Sequence, residues 1–357
     1  MIIGVMSDTH DIEDRVIENI VADLTKRGAE MIFHCGDIEK PHFRADLFGN
    51  LPVICALVPD QCKDPKLLFS PSNWAITKPG DRIVNLGLFQ VYVGHRRAFD
   101  FMRESEAKME EILAIVTKDY DRLRYVCAGH THHQIFIANN TLRFINPGAV
   151  ANGYDGYEYA LINTENQEVV FTRIPLRPQT DSPFTIGVIS DTKNISKRDP
   201  DFWRRLTQEF HKRDVSVVIH CGNLWSGDFG RPEFSPFQVY FYRLPDQEAP
   251  SDLPVNWHML DKENPIIEIR NHYLLVDYFL GLSLYDKSEY GTCVAIRELL
   301  AKHRQIDFVL CGMSDNAILE EEPRVKIINP GDVFQQDRFA VICLPRAEIT
   351  FSTVPFN

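Results

Sequence analysis

The seven residues GVMSDTH at 4–10 return as GVISDTK at 187–193. Three further landmarks recur in the same order: MIFHCGD returns as VVIHCGN, VPDQ as LPDQ, and FINPGAV as IINPGDV. Each landmark follows its first occurrence by 183 to 186 residues, so the spacing is nearly constant along the chain. A period this long predicts two tandem domains rather than a solenoid of short repeats.

The predicted boundary between the domains lies in IPLRPQTDSPF at 174–184, where three prolines are typical of a linker. We therefore expect one domain at 1–177 and a second at 183–357. Short apolar runs that resemble buried strands alternate with helical patterns, such as the one at 11–28, where apolar residues recur at helical spacing. This alternation predicts the α/β class in each domain.

The composition excludes several classes of protein. No apolar run approaches the roughly 20 residues of a membrane helix, so no membrane span is expected. A formal net charge of −12 argues against a general nucleic-acid binder. The eight cysteines form no CxxC pattern, which argues against a disulfide framework or a zinc knuckle.

The start MIIGVMSD has no features of a signal peptide and predicts a cytoplasmic protein.

Polar residues follow the apolar runs of the first copy, where each predicted strand ends. They are Asp8, His10, Asp37, Asp60, His130 and His132. Because open α/β sheets place ligands at the carboxyl ends of their strands, we expect these side chains to converge on one rim. Imidazole and carboxylate groups form mixed metal sites, and a bridging carboxylate could hold two ions about 3.5–4 Å apart.

The succession SDTH, CGD, GHTH and INPG resembles the calcineurin-like metallophosphoesterases, specifically their small bacterial and archaeal phosphodiesterases. The resemblance covers nearly all of 1–175, and 183–357 as a degenerate copy. It implies two tandem domains, each a four-layer αββα sandwich, with one or two divalent metal ions in the first. Manganese is the expected ion, and Fe, Ni, Zn or Mg are the alternatives.

Carried over to this chain, the resemblance implies two metal positions. The ligands of the first metal are Asp8, His10, Asp37 and His132. The second metal is implied to share Asp37 and to take His130, an asparagine from a GN turn and a histidine from a THGH turn.

The chain departs from the family pattern in both of those turns. Asp60 takes the place of the asparagine, and the histidine turn reads YVGH at 92–95, so that Val93 stands in for a ligand. His95 then corresponds to the residue beside the substrate and is expected to donate a proton to the leaving oxygen. Arg96 and Arg97 follow it and are expected to bind the phosphoryl group.

The second copy has lost most of these ligand types. Its corresponding residues are Asp191, Lys193, Asn223, Asp246, Met313 and Asp315. Ammonium has no lone pair and methionine binds hard cations poorly, so we expect no metal in this domain. We hypothesise that the ammonium of Lys193 takes the place of the cation and pairs with Asp191 and Asp315. We also expect the two repeats to pack as an intramolecular pseudo-dimer.

Two functions are open on this sequence. In the first, a metal-bound hydroxide in the N-terminal domain hydrolyses a small phosphoester or a nucleotide, as in a phosphodiesterase or phosphatase, and the C-terminal domain is not catalytic. In the second, the chain is a catalytically weak or inactive scaffold for protein interactions, which Asp60 and Val93 favour. A DNA-processing nuclease is disfavoured by the acidic charge balance.

Overall fold

The computed structural model describes residues 1–38, 45–57, 72–77, 83–95, 120–151, 156–176, 182–247, 252–263, 265–280, 294–322 and 325–355. The chain divides into two compact units, Met1–Gln179 and Thr180–Asn357. Both are mixed α/β, with much sheet and few helices among the described residues, which confirms the predicted class. The four-layer order within each domain stays a prediction. No helix in the described ranges has both the length and the apolar character needed to span a membrane.

The described part of the N-terminal unit consists mainly of strands. In chain order these are β1 (Ile2–Met6), β2 (Met31–His34), β3 (Val53–Ala56), β4 (Trp74–Thr77), β5 (Ile83–Asn85), β6 (Gln90–Gly94), β7 (Leu123–Ala128), β8 (Gln134–Ala138), β9 (Arg143–Pro147), β10 (Gly156–Asn163) and β11 (Glu168–Pro175). Helix α1 spans Asp14–Lys26, and a 3-10 turn spans Ala45–Phe48.

These strands form two sheets. The order in the first is β4-β3-β2-β1-β10-β11, in which β1 to β4 run parallel and β10 and β11 are antiparallel. The order in the second is β5-β6-β7-β9-β8, with β6, β7 and β9 parallel. In both sheets the parallel strands bring to their carboxyl ends those predicted site residues that the structure describes.

Helix α1 confirms the helical pattern predicted at 11–28. Its large apolar residues lie on one face of the helix, and all of them are buried, as expected for an amphipathic helix on a sheet. They are Val16, Ile17, Ile20, Val21 and Leu24. Leu24 packs so closely on β1 that a Cβ atom at Gly4 would lie 2.8 Å from Leu24 Cδ1. The glycine that begins the repeated motif is therefore required by helix packing.

The C-terminal unit is also built mainly from strands where it is described. They are β12 (Phe184–Ile189), β13 (Val215–His220), β14 (Gln238–Tyr242), β15 (Trp257–Leu260), β16 (Ile266–Ile269), β17 (His272–Asp277), β18 (Ile306–Cys311), β19 (Ala317–Glu322), β20 (Val325–Asn329), β21 (Arg338–Leu344) and β22 (Glu348–Thr353). Its helices are α2 (Ile195–Arg198), α3 (Phe202–Lys212), α4 (Val294–Lys302) and α5 (Val333–Gln336), and 3-10 turns span Ser226–Asp228 and Pro232–Phe234.

The strands of the C-terminal unit follow the order of those in the N-terminal unit. They run β15-β14-β13-β12-β21-β22 and β16-β17-β18-β20-β19, which is the same arrangement strand for strand. Helix α3 takes the place of α1, and it buries the aromatic rings of Phe202, Trp203 and Phe210. A Cβ atom at Gly187 would lie 2.8 Å from the ring of Phe210, so the second motif needs its glycine for the same reason as the first.

Candidate metal centre

The predicted ligands that the structure describes lie at strand ends in the N-terminal unit. Asp8 and His10 follow β1, Asp37 follows β2, and His130 and His132 follow β7. All five have positive φ angles, between 43° and 86°. A residue other than glycine pays about 1–3 kcal/mol for such a conformation, and strained residues of this kind cluster at functional sites.

The turns after β1 and β2 are joined by hydrogen bonds. The amide of Asp8 donates to Gly36 O and the amide of His10 donates to Asp37 O, both at 3.0 Å. His34 reinforces the connection, because its Nδ1 accepts from the Gly36 amide at 3.1 Å and its Nε2 donates to Thr9 Oγ1 at 3.2 Å. Burial lowers the pKa of His34 to about 3, so this histidine is neutral and structural.

Asp8 is a buried carboxylate with one unsatisfied oxygen. Its Oδ2 accepts from the His130 amide at 3.0 Å, whereas its buried Oδ1 has no hydrogen-bond partner among the residues that the structure describes. The nearest imidazole nitrogens, His132 Nε2 and His95 Nε2, lie 3.3 and 3.8 Å from Oδ1. Burial raises the pKa of Asp8, but the neighbouring His132 and His95 outweigh it, and the net pKa is below its usual value. Asp8 is therefore an ionised carboxylate.

His95 presents a lone pair to this cluster. Its Nδ1 lies 3.0 Å from the carbonyl oxygen of Cys35, which can only accept, so Nδ1 carries the proton. Burial lowers the pKa of His95 against the opposing effect of Asp8 and Asp37, which keeps the ring neutral. Its Nε2 consequently directs a lone pair into a space where Asp8 Oδ1 and Asp37 Oδ2 are each 3.8 Å away.

Two pairs of imidazoles bring their nitrogens together in the same region. His10 Nε2 lies 3.3 Å from His132 Nε2, and His130 Nδ1 lies 3.2 Å from His95 Nε2. His10 Nδ1 is also 3.8 Å from Asp37 Oδ2. Lone pairs and carboxylate oxygens crowded in this way repel one another unless a proton or a cation lies between them.

The donor set fits divalent metal ions. Two groups each bring three ligand atoms within 4.8 Å of one another, namely Asp8 with His10 and His132, and Asp8 with Asp37 and His95. Nitrogen and oxygen ligands about 2.0–2.2 Å from a first-row ion lie about 3–4 Å from each other, which agrees with the observed separations. The unsatisfied Oδ1 of Asp8 and the lone pair of His95 are what such ions would satisfy.

The remaining predicted site residues fall into two cases. Asp60, Arg96 and Arg97 lie outside the described residues. Val93, which was expected to replace a ligand, is fully buried within β6 and pairs with Cys127 of β7. It is His95, directly after β6, that reaches the rim of the sheet.

The corresponding aspartate of the C-terminal unit is satisfied by neutral donors. Asp191 Oδ1 accepts from Tyr278 Oη at 2.6 Å and from Asn223 Nδ2 at 3.0 Å. Its Oδ2 accepts from Ser190 Oγ at 2.8 Å and from the Met313 amide at 3.2 Å. Where the C-terminal unit is described, no group of three metal-ligating side chains is found.

The hypothesis that Lys193 replaces the cation is wrong. The side chain of Lys193 is exposed, and within the described ranges it makes no ion pair with Asp191 or Asp315. Asp315 is exposed as well and accepts from Gln335 Nε2 at 3.3 Å. The physical reason is that neutral hydrogen bonds already stabilise Asp191, so the ammonium keeps its hydration in solvent. Tyr278, which no sequence motif indicated, occupies the place of His95, 183 residues further along the chain.

Comparison with known proteins identifies the first of these units. Residues 1–167 match the family model described as the calcineurin-like phosphoesterase superfamily domain. The N-terminal unit is a calcineurin-like phosphoesterase domain. Phosphoesterases are hydrolases, so the predicted enzyme class and the predicted family are confirmed for this unit. No curated protein matches the chain.

Several solved structures resemble about half of the chain. An archaeal phosphodiesterase matches with a TM-score of 0.35 and 22% identity, over 49% of this chain and 100% of its own. The phosphoesterase YfcE from E. coli matches at 0.33 and 18%, over 50% and 96%. Zinc-bound Vps29 from Entamoeba histolytica matches at 0.33 and 15%, over 50% and 95%. At these scores the similarity adds no functional information to the family match.

Proposed function

We propose that the N-terminal phosphoesterase domain is a metal-dependent hydrolase of small phosphodiesters or phosphomonoesters, including nucleotides, and that the C-terminal domain is not catalytic. The observation that carries this proposal is the convergence of the unsatisfied Asp8 Oδ1 with the lone pair of His95 Nε2, 3.8 Å away. A carboxylate and the lone pair of a neutral imidazole are held close together here, and a cation between them would stabilise both.

The ligand groups divide the site into two positions that share Asp8. Asp8, His10 and His132 would hold one ion, and Asp8, Asp37 and His95 would hold the other, with His130 beside His95. When bound, such ions lower the pKa of water toward about 7 and polarise a phosphoryl oxygen.

We assign His95 the role of a ligand rather than that of the acid beside the substrate. The hydrogen bond to Cys35 O fixes the tautomer that a metal ligand needs and orients the ring. It also removes His95 as a proton donor, because the only ring proton is directed to the backbone. Asp60 as a further ligand and Arg96 and Arg97 as the phosphoryl-binding residues stay predictions.

The C-terminal domain is proposed to be a degenerate duplicate. Its strand order and the positive φ angles at Asp191, Asn223 and Met313, between 57° and 62°, support a duplication. A long side chain such as that of Met313 has no local reason to adopt this conformation, so we interpret it as inherited from a ligand turn. Manganese as the metal, a cytoplasmic location and a pseudo-dimer of the repeats stay predictions.

The experiment that tests the proposal is hydrolysis of bis-p-nitrophenyl phosphate and p-nitrophenyl phosphate by the full chain, with Mn²⁺, Fe²⁺, Ni²⁺, Zn²⁺ or Mg²⁺. We expect turnover with at least one ion and a loss of at least about 100-fold in Asp8→Asn, which lacks the shared carboxylate. Asp191→Asn is the matched control and should keep full turnover. A metal-loaded protein with no turnover on either substrate would instead support the scaffold alternative.

A further inference from the structure

A cavity of about 620 Å³ lies in the C-terminal unit. Its lining includes Tyr242, Arg243, Asp261, Lys262, Asp277 and Phe279. These residues stand at or just beyond the ends of β14, β15 and β17. The crevice outside the carboxyl ends of parallel strands is the usual ligand site of open α/β sheets, and the volume is in the range of small-molecule sites.

Two polar groups that line the cavity have no hydrogen-bond partner among the described residues, and one of them, the Nε of Arg243, is buried. The side chain of Tyr242 is almost completely buried, at 3% exposure, yet its hydroxyl makes no hydrogen bond there. The Nε of Arg243 is buried and donates to no acceptor. Because a buried donor without an acceptor is costly, the Nε of Arg243 favours a ligand that brings an acceptor into the cavity.

The cavity presents charges of both signs. Within the described ranges, Arg243 and Lys262 form no ion pair, so two cations are available. Asp261, Glu263 and Asp277 provide three carboxylates. Burial raises the pKa of Asp277, which indicates that its present neighbours do not fully compensate its charge.

The tyrosine hydroxyl lies within reach of the acidic side of the cavity. Burial, followed by the charges of Asp277 and Asp261, raises the pKa of Tyr242 to about 12, so the hydroxyl keeps its proton. Phe279 adds an apolar surface, since its ring is 43% exposed beside these polar groups. A ligand that suits this lining has a cationic donor, an anionic acceptor and an apolar body.

The lining is not inherited from the first copy. Ala56, Leu57 and Gly94 of the N-terminal unit occupy the places of Tyr242, Arg243 and Asp277. These three residues of the N-terminal unit have no polar side chain, whereas their counterparts in the C-terminal unit carry a phenol, a guanidinium and a carboxylate. The chemistry of the cavity belongs to the C-terminal unit alone and does not depend on the proposed hydrolase site.

We propose that this cavity binds a small zwitterion with an apolar body, of the kind of a free aromatic or branched-chain α-amino acid. The ammonium group would be held on the side of Asp277, with the Tyr242 oxygen as an additional acceptor. The carboxylate would accept from Arg243 and Lys262, and the apolar body would pack on Phe279. A nucleotide fits less well, because its phosphate would bring further negative charge to a lining with an excess of carboxylates.

The test is calorimetric titration of the full chain with L-phenylalanine as the probe. We expect a Kd of about 0.1–1 mM for a ligand of this size. Phenethylamine, which lacks the carboxylate, and 3-phenylpropionate, which lacks the ammonium group, should each bind at least tenfold more weakly. Tyr242→Phe and Arg243→Met should weaken L-phenylalanine at least fivefold. Tyr240→Phe is the matched control, because Tyr240 lies on the same strand but stacks on His258 and does not line the cavity.

Three results would overturn the proposal. The first is a chain that is folded by circular dichroism but does not bind L-phenylalanine at concentrations up to 10-fold above the expected Kd. A second is equal affinity for the three phenyl compounds, or binding that neither Tyr242→Phe nor Arg243→Met changes, which would place the ligand elsewhere. The third is tighter binding of adenosine monophosphate than of L-phenylalanine, which would make the cavity a nucleotide site.

Discussion

The hydroxyl of Tyr278 donates a hydrogen bond of 2.6 Å to Oδ1 of Asp191. At the corresponding place in the N-terminal unit, Nε2 of His95 lies 3.8 Å from Oδ1 of Asp8 and presents a lone pair instead of a proton. The phenol of Tyr278 therefore satisfies the carboxylate of Asp191 with a hydrogen bond. The imidazole of His95 donates no hydrogen bond to Asp8. This difference supports the proposal that the first unit binds a cation where the second does not.

Replacement of Asp8 by asparagine is expected to remove the bound metal. Asp8 belongs to both ligand groups, and an amide lacks the negative charge that would hold a divalent ion. Elemental analysis after equilibrium dialysis should show the metal content of Asp8→Asn falling below about a tenth of the parent value. Asp191→Asn should leave the content unchanged, and an equal loss in both variants would contradict the assignment of the site to the N-terminal unit.

The variant His95→Tyr would transfer the arrangement of the C-terminal unit to the N-terminal unit. We expect the phenol to donate to Asp8 Oδ1 as Tyr278 donates to Asp191, which removes one nitrogen ligand and occupies the oxygen shared by both groups. Metal stoichiometry should fall by at least one ion per chain while the melting temperature is kept. If stoichiometry is retained and only turnover falls, His95 acts on the substrate and is not a ligand.

Much of the candidate metal site could be predicted from the sequence. Proposed ligands such as Asp8 and Asp37 directly follow apolar strands, and the parallel order of those strands brings their ends together. The motif itself placed Val93 at the ligand position and His95 beside the substrate, and our proposal of His95 as a ligand differs from it for a structural reason. The position of Val93 inside β6 and of His95 after its end shows which of the two reaches the rim.

The hydrogen-bond partners of Asp191 in the C-terminal unit could not be predicted from residue types. Charge pairing suggested Lys193 as the partner of Asp191, but the carboxylate is satisfied by neutral donors, among them Asn223 and a backbone amide. Tyr278 gave no signal, because tyrosine is not one of the ligand types that the motif calls for. The left-handed turns are likewise invisible in composition, since aspartate, histidine and methionine all adopt them here.

The Asp8 carboxylate packs against Gly129, where there is no room for a side chain. A Cβ atom at Gly129 would lie 1.8 Å from Ser7 Oγ and 2.7 Å from Asp8 Oδ2, so Gly129→Ala must displace the carboxylate. We expect metal affinity to fall at least tenfold, measured by competition with a chelating indicator. Gly312→Ala is the matched variant, because its Cβ would lie 2.2 Å from Ser190 Oγ in the C-terminal unit. It should lower the melting temperature without changing metal affinity, and a change in affinity would show that the units are coupled.

Asp332 is expected to make the C-terminal unit less stable as the pH rises. Burial and the charge of Asp191 raise the pKa of Asp332 to about 6. As the pH rises, the unfolded chain, with a pKa of about 3.9, releases this proton at a lower pH than the folded state does. The bound proton therefore stabilises the folded state fully below pH 4, and this stabilisation is lost as the pH rises through 6. The loss amounts to at most about 3 kcal/mol in the free energy of unfolding between pH 4 and pH 8.

Substitution of Asp332 by asparagine isolates this effect. The amide oxygen of asparagine can still accept from the Phe334 and Gln335 amides that Asp332 caps, but it carries no charge. Asp332→Asn should therefore be more stable than the parent by about 1–3 kcal/mol at pH 8 and nearly equal to it at pH 4. Urea unfolding followed by tryptophan fluorescence measures this difference, because Trp203 and Trp257 are buried in the C-terminal unit. A stability difference that stays constant from pH 4 to pH 8 would show that Asp332 is ionised in the folded protein throughout this range.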